Sequence, residues 1–201
     1  MQRFQKILVG VDLALSGERL TSGSTHAAEV ALSLAERGGA ELVFLHSTWA
    51  DLHEENQALR PGPSGEGLRA LEELATRARA AGLAARLALV RDRAWLEIIQ
   101  AVKRGEAALV LVARRNQESA SLALGSIAKK LLRKCPCPLW IVKPDGVTAP
   151  ARIVAATDLS PVGNLAVELA SSLAELYRAE LHAVHAWPLP LAVPVLPELE
   201  V

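Results

Sequence analysis

The sequence predicts an α/β protein: an open parallel sheet of five strands with helices on both faces, followed by a partial second copy of the same unit. Short apolar runs alternate with amphipathic stretches, a pattern typical of strands joined by helical crossovers. Two runs, ILVGV at 7–11 and ALVLVA at 108–113, are uninterrupted, which indicates strands buried on both faces. We assign residues 1–145 to a complete domain and residues 151–201 to a truncated second domain.

An internal repeat indicates the second copy. Residues 25–46 and 164–185 align at a constant offset of 139 positions, with 11 identical pairs out of 22. Upstream of this block, Asp12 stands opposite Asp158. A repeat of this length predicts two copies of one domain, each opening as strand–helix–strand. After its second strand, the second copy continues only as an apolar, proline-rich tail, residues 187–201.

Periodicity and turn residues predict the elements of the first domain. Helices end where glycine interrupts the helical period, as at Gly38 and Gly39. A polar connection over residues 51–67, punctuated by proline and glycine, is predicted to be a loop. The predicted order is strand Ile7–Val11, helix Thr25–Arg37, strand Glu41–Ser47, helix Gly67–Ala81, strand Ala84–Val90, helix Ala94–Arg104, strand Ala108–Ala113, helix Ser126–Lys134 and strand Pro138–Val142.

Composition excludes several classes of partner. The chain has 22 basic and 22 acidic residues, which argues against nucleic acid or an anionic membrane recognised by net charge. No apolar stretch approaches the roughly 18–20 residues that span a bilayer. The N-terminus passes directly into a strand without the apolar region of a signal peptide. We therefore expect a cytoplasmic protein with neither a nucleic-acid nor a membrane partner.

The two cysteines, Cys135 and Cys137, lie in the segment KCPCP. We expect their side chains to diverge around the intervening proline, which makes a bridge between them geometrically poor. Two thiols also fall short of a four-ligand zinc site. The interpretation is a pair of reduced thiols in a cytosolic protein.

Candidate site residues follow from the fold class. Ligands of open parallel sheets bind beyond the carboxyl ends of the strands, which nominates Asp12, Ser47 and the loop after Ala113. Each has a structural alternative: Asp12 is suited to capping local backbone N–H groups, and Ser126 is suited to capping the helix that it opens. His46 and its repeat equivalent His185 are expected to be packed and hydrogen-bonded, because no Cys, His or Asp spacing near them forms a metal set.

Three segments resemble the universal stress protein family. These are KILVGVDLALS at 6–16, AELVFLH at 40–46 and LGSIAKKLLRKCPCPLWIVKP at 124–144. The run LLRKCPCPLWIV is similar to the first domain of tandem, E-type members, and residues 153–188 are similar to the opening of their second domain. The resemblance therefore implies an E-type tandem protein whose second domain is incomplete.

The resemblance also implies an architecture and a site. The family fold is adenine-nucleotide-hydrolase-like (Rossmann-like) with sheet order 3-2-1-4-5. Its members form dimers through the fifth strand, here Pro138 to Val142, and serve in stress survival. In ATP-binding members the fourth strand is followed by Gly-x-x-Gly, nine residues, and Gly-Ser or Gly-Thr, so that bare backbone amides reach the phosphates. The nucleotide-binding positions carried over to this chain are Val11, Asp12, Ala113, Asn116, Gly125, Ser126 and Ile127.

The sequence departs from that motif at its start. Gly125 and Ser126 match its end, whereas neither early glycine is present: the corresponding residues are Val112 and Arg115 by direct counting, or Ala113 and Asn116 if one residue is deleted. This predicts a degenerate nucleotide site and no cofactor. The leading hypothesis is therefore a non-catalytic, homodimeric stress-response scaffold or small-ligand binder, and the alternative is an ATP-binding switch or slow ATPase. An enzyme of the wider superfamily would need a catalytic triad, nucleophile elbow or P-loop lysine, and the sequence has no such motif.

Overall fold

A computed structural model describes residues 3–49, 63–114 and 124–187. The chain divides into two compact units, Met1–Pro150 and Ala151–Val201. The tail predicted over residues 188–201, most of the polar connection before residue 63 and the loop at 115–123 lie outside the described residues.

The first unit is a five-stranded, all-parallel sheet in the order β3-β2-β1-β4-β5, which confirms the predicted fold class and strand order. Strand β1 lies at the centre, where Ile7 pairs with Leu42 of β2 on one side and with Leu109 of β4 on the other. The elements are β1 Lys6–Gly10, α1 Ser22–Gly38, β2 Glu41–Ser47, α2 Gly65–Ala80, β3 Ala85–Val90, α3 Ala94–Lys103, β4 Leu109–Ala113, α4 Ser126–Lys134 and β5 Leu139–Val142.

The core lies on both faces of the central strands. In β1, Ile7, Leu8 and Val9 are fully buried. Leu8 belongs to one apolar cluster with Ile98 of α3 and Leu131 of α4. Because successive strand residues point to opposite faces, Ile7 and Val9 lie on the other face. Burying each such side chain stabilises the fold by about 1.5–3 kcal/mol, so the central strands anchor the positions of their carboxyl ends.

Two helices begin earlier than their periodicity predicts. Helix α1 starts at Ser22 rather than Thr25, because the Thr21 side chain accepts a hydrogen bond from the Ser24 N–H at 3.1 Å and serves as its N-cap. Helix α2 starts at Gly65 rather than Gly67, because the Ser64 hydroxyl caps it in the same way. A capping hydroxyl satisfies a backbone donor of the first turn and so fixes the helix start.

The second unit, described by itself, is a β–α–β element. Strands β6 and β7 are parallel and pair from Arg152↔Glu180 to Ala156↔Val184. The Ser160 hydroxyl caps the connecting helix by accepting the Gly163 N–H at 3.1 Å. Large apolar side chains of this unit are exposed, Val154 at 67% and Val184 at 50%. Its bounds are β6 Arg152–Ala156, α5 Pro161–Tyr177 and β7 Glu180–Val184.

No helix within the described ranges combines the length and the apolar composition needed to cross a bilayer.

Candidate functional site

A cleft of about 240 Å³ opens at the carboxyl ends of β1 and β4. Parallel sheets present strand ends and helix N-termini at this edge, which is why ligands bind there. Six of the seven nucleotide-binding positions implied by the family resemblance line it, and the seventh, Asn116, lies outside the described residues. The six are Val11, Asp12, Ala113, Gly125, Ser126 and Ile127. Ser47, nominated by its position at a strand end, also lines the cleft.

Asp12 presents an acid to the cleft. Its Oδ1 accepts a hydrogen bond from the Leu13 N–H at 3.0 Å, so the local capping role predicted from the sequence is present. The residue is also exposed and lines the cleft. Its backbone is fixed because its own N–H donates to Ser24 Oγ at 2.7 Å. Asp12 therefore has a defined position at the cleft.

The turn between β1 and α1 is held by two hydroxyls that the sequence analysis did not single out. Thr21 Oγ1 donates to Ser24 Oγ at 2.8 Å, and the buried Ser24 hydroxyl accepts the Asp12 N–H. Both residues line the cleft. The only sequence signal for them is a threonine three residues before a serine at a helix start, which predicts an N-cap and carries no indication of a site.

The N-terminus of α4 forms another part of the wall. The prediction that Ser126 caps this helix is wrong: the N-cap residue is Gly125, in an extended conformation at φ −61° and ψ 161°, and Ser126 is the first helical residue. Within the described residues no side chain caps this end. The amides of Ser126, Ile127 and Ala128 belong to the first turn, where no helical carbonyl is available to accept them. All three residues line the cleft, so the positive end of the helix dipole faces it.

Ala113 and Arg114 lie where β4 ends. A Cβ built on Gly23 of α1 would lie 2.9 Å from the Ala113 Cβ, so helix and strand approach closely only because position 23 is glycine. The Arg114 N–H donates to the Val142 carbonyl at 2.8 Å, which extends the ladder between β4 and β5 by one bond. Arg114 also lines the cleft and adds a cation near the α4 N-terminus.

The side opposite α4 is formed by the end of β2. His46 is 5% exposed, and its Nδ1 lies 3.0 Å from the Val11 carbonyl oxygen. This confirms the prediction of a packed, hydrogen-bonded histidine. Trp49 follows it, is 45% exposed and lines the cleft. The sequence analysis did not select Trp49, although its position two residues beyond a strand end is a usable signal.

The cleft therefore combines three chemical features. The α4 amides and Arg114 suit an anion, the Asp12 carboxylate suits a hydroxyl or amine donor, and Val11, Leu45 and Ile98 supply apolar surface. Among the described residues, no group of three or more Cys, His, Asp or Glu side chains is arranged to hold a metal ion. The cleft is therefore suited to binding a small molecule that has an anionic group, polar hydroxyls and an apolar part.

Comparison with known proteins assigns the chain to a family. The sequence profile described as "Universal stress protein family" matches residues 3–143. This chain belongs to the universal stress protein family. The match covers every element of the first unit, as the sequence resemblance implied.

A curated relative supports the same assignment. Universal stress protein E of Photorhabdus laumondii is 29% identical over 146 residues, which cover 67% of this chain and 46% of the relative. The chain thus spans less than half the length of the curated relatives it matches.

Solved structures of universal stress proteins share the fold. One from Archaeoglobus fulgidus superposes with a TM-score of 0.69 at 21% identity, covering 92% of this chain and 68% of that one. A universal stress protein in complex with cAMP has a TM-score of 0.51 at 21% identity, with 71% and 99% covered. A family protein from Arabidopsis thaliana with AMP bound has a TM-score of 0.51 at 18% identity, with 69% and 91% covered.

Proposed function

We propose that this universal stress protein is a non-catalytic binder of adenine mononucleotides, with its site in the cleft at the carboxyl ends of β1 and β4. The observation that carries the proposal is the α4 N-terminus without a side-chain cap among the described residues, which opens into the same cleft as the exposed Asp12. Two solved neighbours with the same fold hold cAMP and AMP, and their ligands support the adenine nucleotide as the class.

The phosphate belongs at the α4 N-terminus. There the amides of Ser126, Ile127 and Ala128 provide donors without helical acceptors, and the helix dipole favours negative charge. Arg114, at the end of β4, also lines the cleft and adds a positive charge there. The α4 amides are fixed by the helix before any ligand binds, so little ordering of these donors is required on binding.

The nucleoside belongs between β1 and β2. The Asp12 carboxylate is an acceptor for ribose hydroxyls, and its repulsion of phosphate keeps the anionic group at the other wall. Val11 and Leu45 offer apolar surface for the base, and the half-exposed Trp49 ring offers a face for stacking. This orientation uses each of the three chemical features of the cleft once.

Size and loop chemistry favour a mononucleotide over ATP. The cleft of about 240 Å³ lies below the usual range of roughly 300–1,000 Å³ for pockets that hold drug-sized ligands. Neither of the two early glycines, whose bare backbone amides would reach the further phosphates, is present in this chain. An ATP-dependent switch or slow ATPase remains the second candidate, favoured by the intact Gly125-Ser126 pair.

The test is a calorimetric titration of the full chain with AMP and, separately, with ATP and magnesium. We expect AMP to bind with a Kd below about 1 mM, equivalent to about 4 kcal/mol, and more tightly than ATP. Binding of ATP tighter than about 10 μM, equivalent to about 7 kcal/mol, accompanied by phosphate release would support the second candidate. No heat of binding with either nucleotide would contradict both.

A charge placed at the helix N-terminus distinguishes loss of the site from loss of the fold. Gly125→Asp provides a better N-cap for α4, worth a few tenths of a kcal/mol, and it places a negative charge where the phosphate belongs. We expect nucleotide affinity to fall at least roughly tenfold, about 1.4 kcal/mol, with no loss of thermal stability. Ser160→Asp is the matched control, because it adds the same charge at the N-cap of α5, outside the cleft, and should leave affinity unchanged.

We further propose the homodimer through β5. This strand is at the edge of the sheet and pairs with β4 on one side, so its other edge has the geometry to add a strand from a second copy. Light scattering of the purified chain should give twice the chain mass of 21.4 kDa. A monomer at micromolar concentration would refute the dimer and leave the binding proposal standing.

A further inference from the structure

The two cysteines lie closer together than the sequence suggests. They occupy the segment between α4 and β5, and their sulfur atoms are 3.7 Å apart. The expectation that their side chains diverge is wrong. Divergence of alternate side chains holds for an extended strand, whereas the chain here bends at Pro136 and Cys137 before β5 begins. The bend brings both sulfurs to the same side, at about their van der Waals contact distance.

The surroundings of the pair make it accessible and reactive. Both side chains are half-buried at the margin of the apolar cluster beneath α3 and α4, so a small oxidant reaches them from solvent. The two sulfur atoms share a hydrogen bond, and this contact lowers the pKa of the Cys135 thiol to about 6. The pKa of Cys137 is raised by the same hydrogen bond and by burial. The lowered pKa favours the thiolate form of Cys135, which is the form that attacks electrophiles.

We propose that Cys135 and Cys137 form a reversible oxidation site that reacts with hydroperoxides and closes to an intrachain disulfide. In the first step the Cys135 thiolate attacks the terminal oxygen of hydrogen peroxide, and the O–O bond breaks. Cys135 becomes a sulfenic acid, and the departing hydroxide takes a proton to leave as water.

In the second step the sulfur of Cys137 attacks the Cys135 sulfur. The S–S bond forms, the S–O bond breaks, and the departing hydroxide leaves as water with the proton that Cys137 carried. In sum two thiols lose two hydrogen atoms and one peroxide becomes two waters. The sulfurs must approach from 3.7 Å to the bond length of about 2.05 Å, a movement that side-chain rotation and the bend between the two residues can supply.

Proximity favours the intrachain disulfide over reaction of the sulfenic acid with a second protein molecule or a second peroxide. Cys137 already contacts the sulfur that is oxidised first, so its attack is intramolecular and precedes collision with a second molecule or a second peroxide. Both cysteines of the chain are in the pair, so neither has another intrachain partner. This inference does not depend on nucleotide binding, since it concerns the opposite end of α4.

The test is an intact-mass and free-thiol measurement on the full chain treated with an equimolar amount of hydrogen peroxide at pH 7. We expect both free thiols to disappear, the mass to fall by two hydrogen atoms, the protein to remain a single chain on a non-reducing gel, and dithiothreitol to reverse all three changes. Free thiols that persist, oxygen added without loss of hydrogen, or disulfide-linked dimers would each overturn the proposal.

Single substitutions assign the roles within the pair. In Cys137→Ser the oxidation should stop at the Cys135 sulfenic acid, which dimedone traps. In Cys135→Ser the remaining Cys137 thiol still has a pKa raised by burial, so it should oxidise roughly tenfold more slowly than Cys135 does in Cys137→Ser. Circular dichroism of both variants checks that they fold. Equal oxidation rates in the two folded variants would contradict the assignment of Cys135 as the attacking residue.

Discussion

The opening β–α–β of the first unit and the β–α–β of the second unit share their local structure and differ in burial. Each helix has a hydroxyl N-cap, Thr21 and Ser160. A histidine within one residue of the end of each second strand hydrogen-bonds back to the residue that follows the first strand: His46 to the Val11 carbonyl at 3.0 Å, and His185 to the Thr157 carbonyl at 2.8 Å. The same sequence pattern thus specifies the same caps and the same cross-strand contact.

Burial separates the two segments. Leu8 on β1 is 0% exposed, and its counterpart Val154 on β6 is 67% exposed. In the first unit β1 has neighbours on both edges, β2 and β4, whereas β6 pairs with β7 alone within the described residues. Local sequence is therefore sufficient to form strand–helix–strand, and the further strands and helices of a five-stranded sheet are what bury it.

The largest difference that this comparison predicts concerns buried apolar volume. Val9→Ala and Val154→Ala are the same chemical change at a position with 0% exposure and at one with 67% exposure. We expect Val9→Ala to lower the free energy of unfolding of the first unit by about 2 kcal/mol. Val154→Ala should change stability by less than about 0.5 kcal/mol. Urea denaturation followed by circular dichroism measures the free energy of unfolding of both variants. Equal losses of stability in Val9→Ala and Val154→Ala would contradict the difference in burial between the two segments.

A smaller difference concerns the two histidines. Replacing the buried His46 with alanine leaves the Val11 carbonyl without this partner and opens space beside it, at a cost of about 1–3 kcal/mol. The equivalent His185→Ala removes an exposed contact and should cost less than about 0.5 kcal/mol. Both variants belong in the same denaturation series. A larger loss for His185→Ala would indicate that the second unit is buried in solution.

The smallest effect is electrostatic and confined to the second unit. Hydrogen bonds from Ser160, with a smaller contribution from His185, lower the pKa of the Asp158 carboxyl below its ordinary value. A lowered carboxyl pKa means that the stabilisation is present at neutral pH and is lost as the pH falls through the folded-state pKa. NMR titration of the Asp158 side chain should show this low pKa, and Ser160→Gly should raise it. An unchanged pKa in Ser160→Gly would contradict the assigned cause.

The comparison also indicates what the second unit is. We propose that it is the opening of a second universal stress domain whose remaining strands would cover the exposed face of β6. The repeat, the shared caps and the matching histidine contacts support this, as does the length of the curated relatives, of which this chain spans less than half.

Much of the fold was predictable from the sequence, because short continuous apolar runs such as 7–11 and 108–113, bounded by turn residues, are typical of strands that are buried on both faces. Strand order was not: nothing in composition or periodicity specifies that β1 lies between β2 and β4, and the family resemblance supplied it. The helix starts at Ser22 and Gly65 were missed because capping hydroxyls act before the apolar period begins.

The residues that line the cleft were predicted in part from the sequence. Strand-end position and motif resemblance selected Asp12 and Gly125, which the structure brings into one cleft. Trp49 and Ser24 were missed, because residues around a cleft are neighbours in space and not in sequence. The capping of α4 was misassigned by one residue, and the cysteine pair was misjudged because an i, i+2 spacing alone does not reveal a bend.

The most direct test of the central claim is an NMR titration of the isotope-labelled chain with AMP, read at the amides of the two units. We predict saturable chemical-shift changes at Ser126, Ile127 and Ala128 in the first turn of α4, and at Asp12. The amides of Gly163 and Asn164, in the capped first turn of α5, should not move. Saturating AMP that leaves the α4 amides unshifted, or that shifts both helix starts alike, would contradict the account.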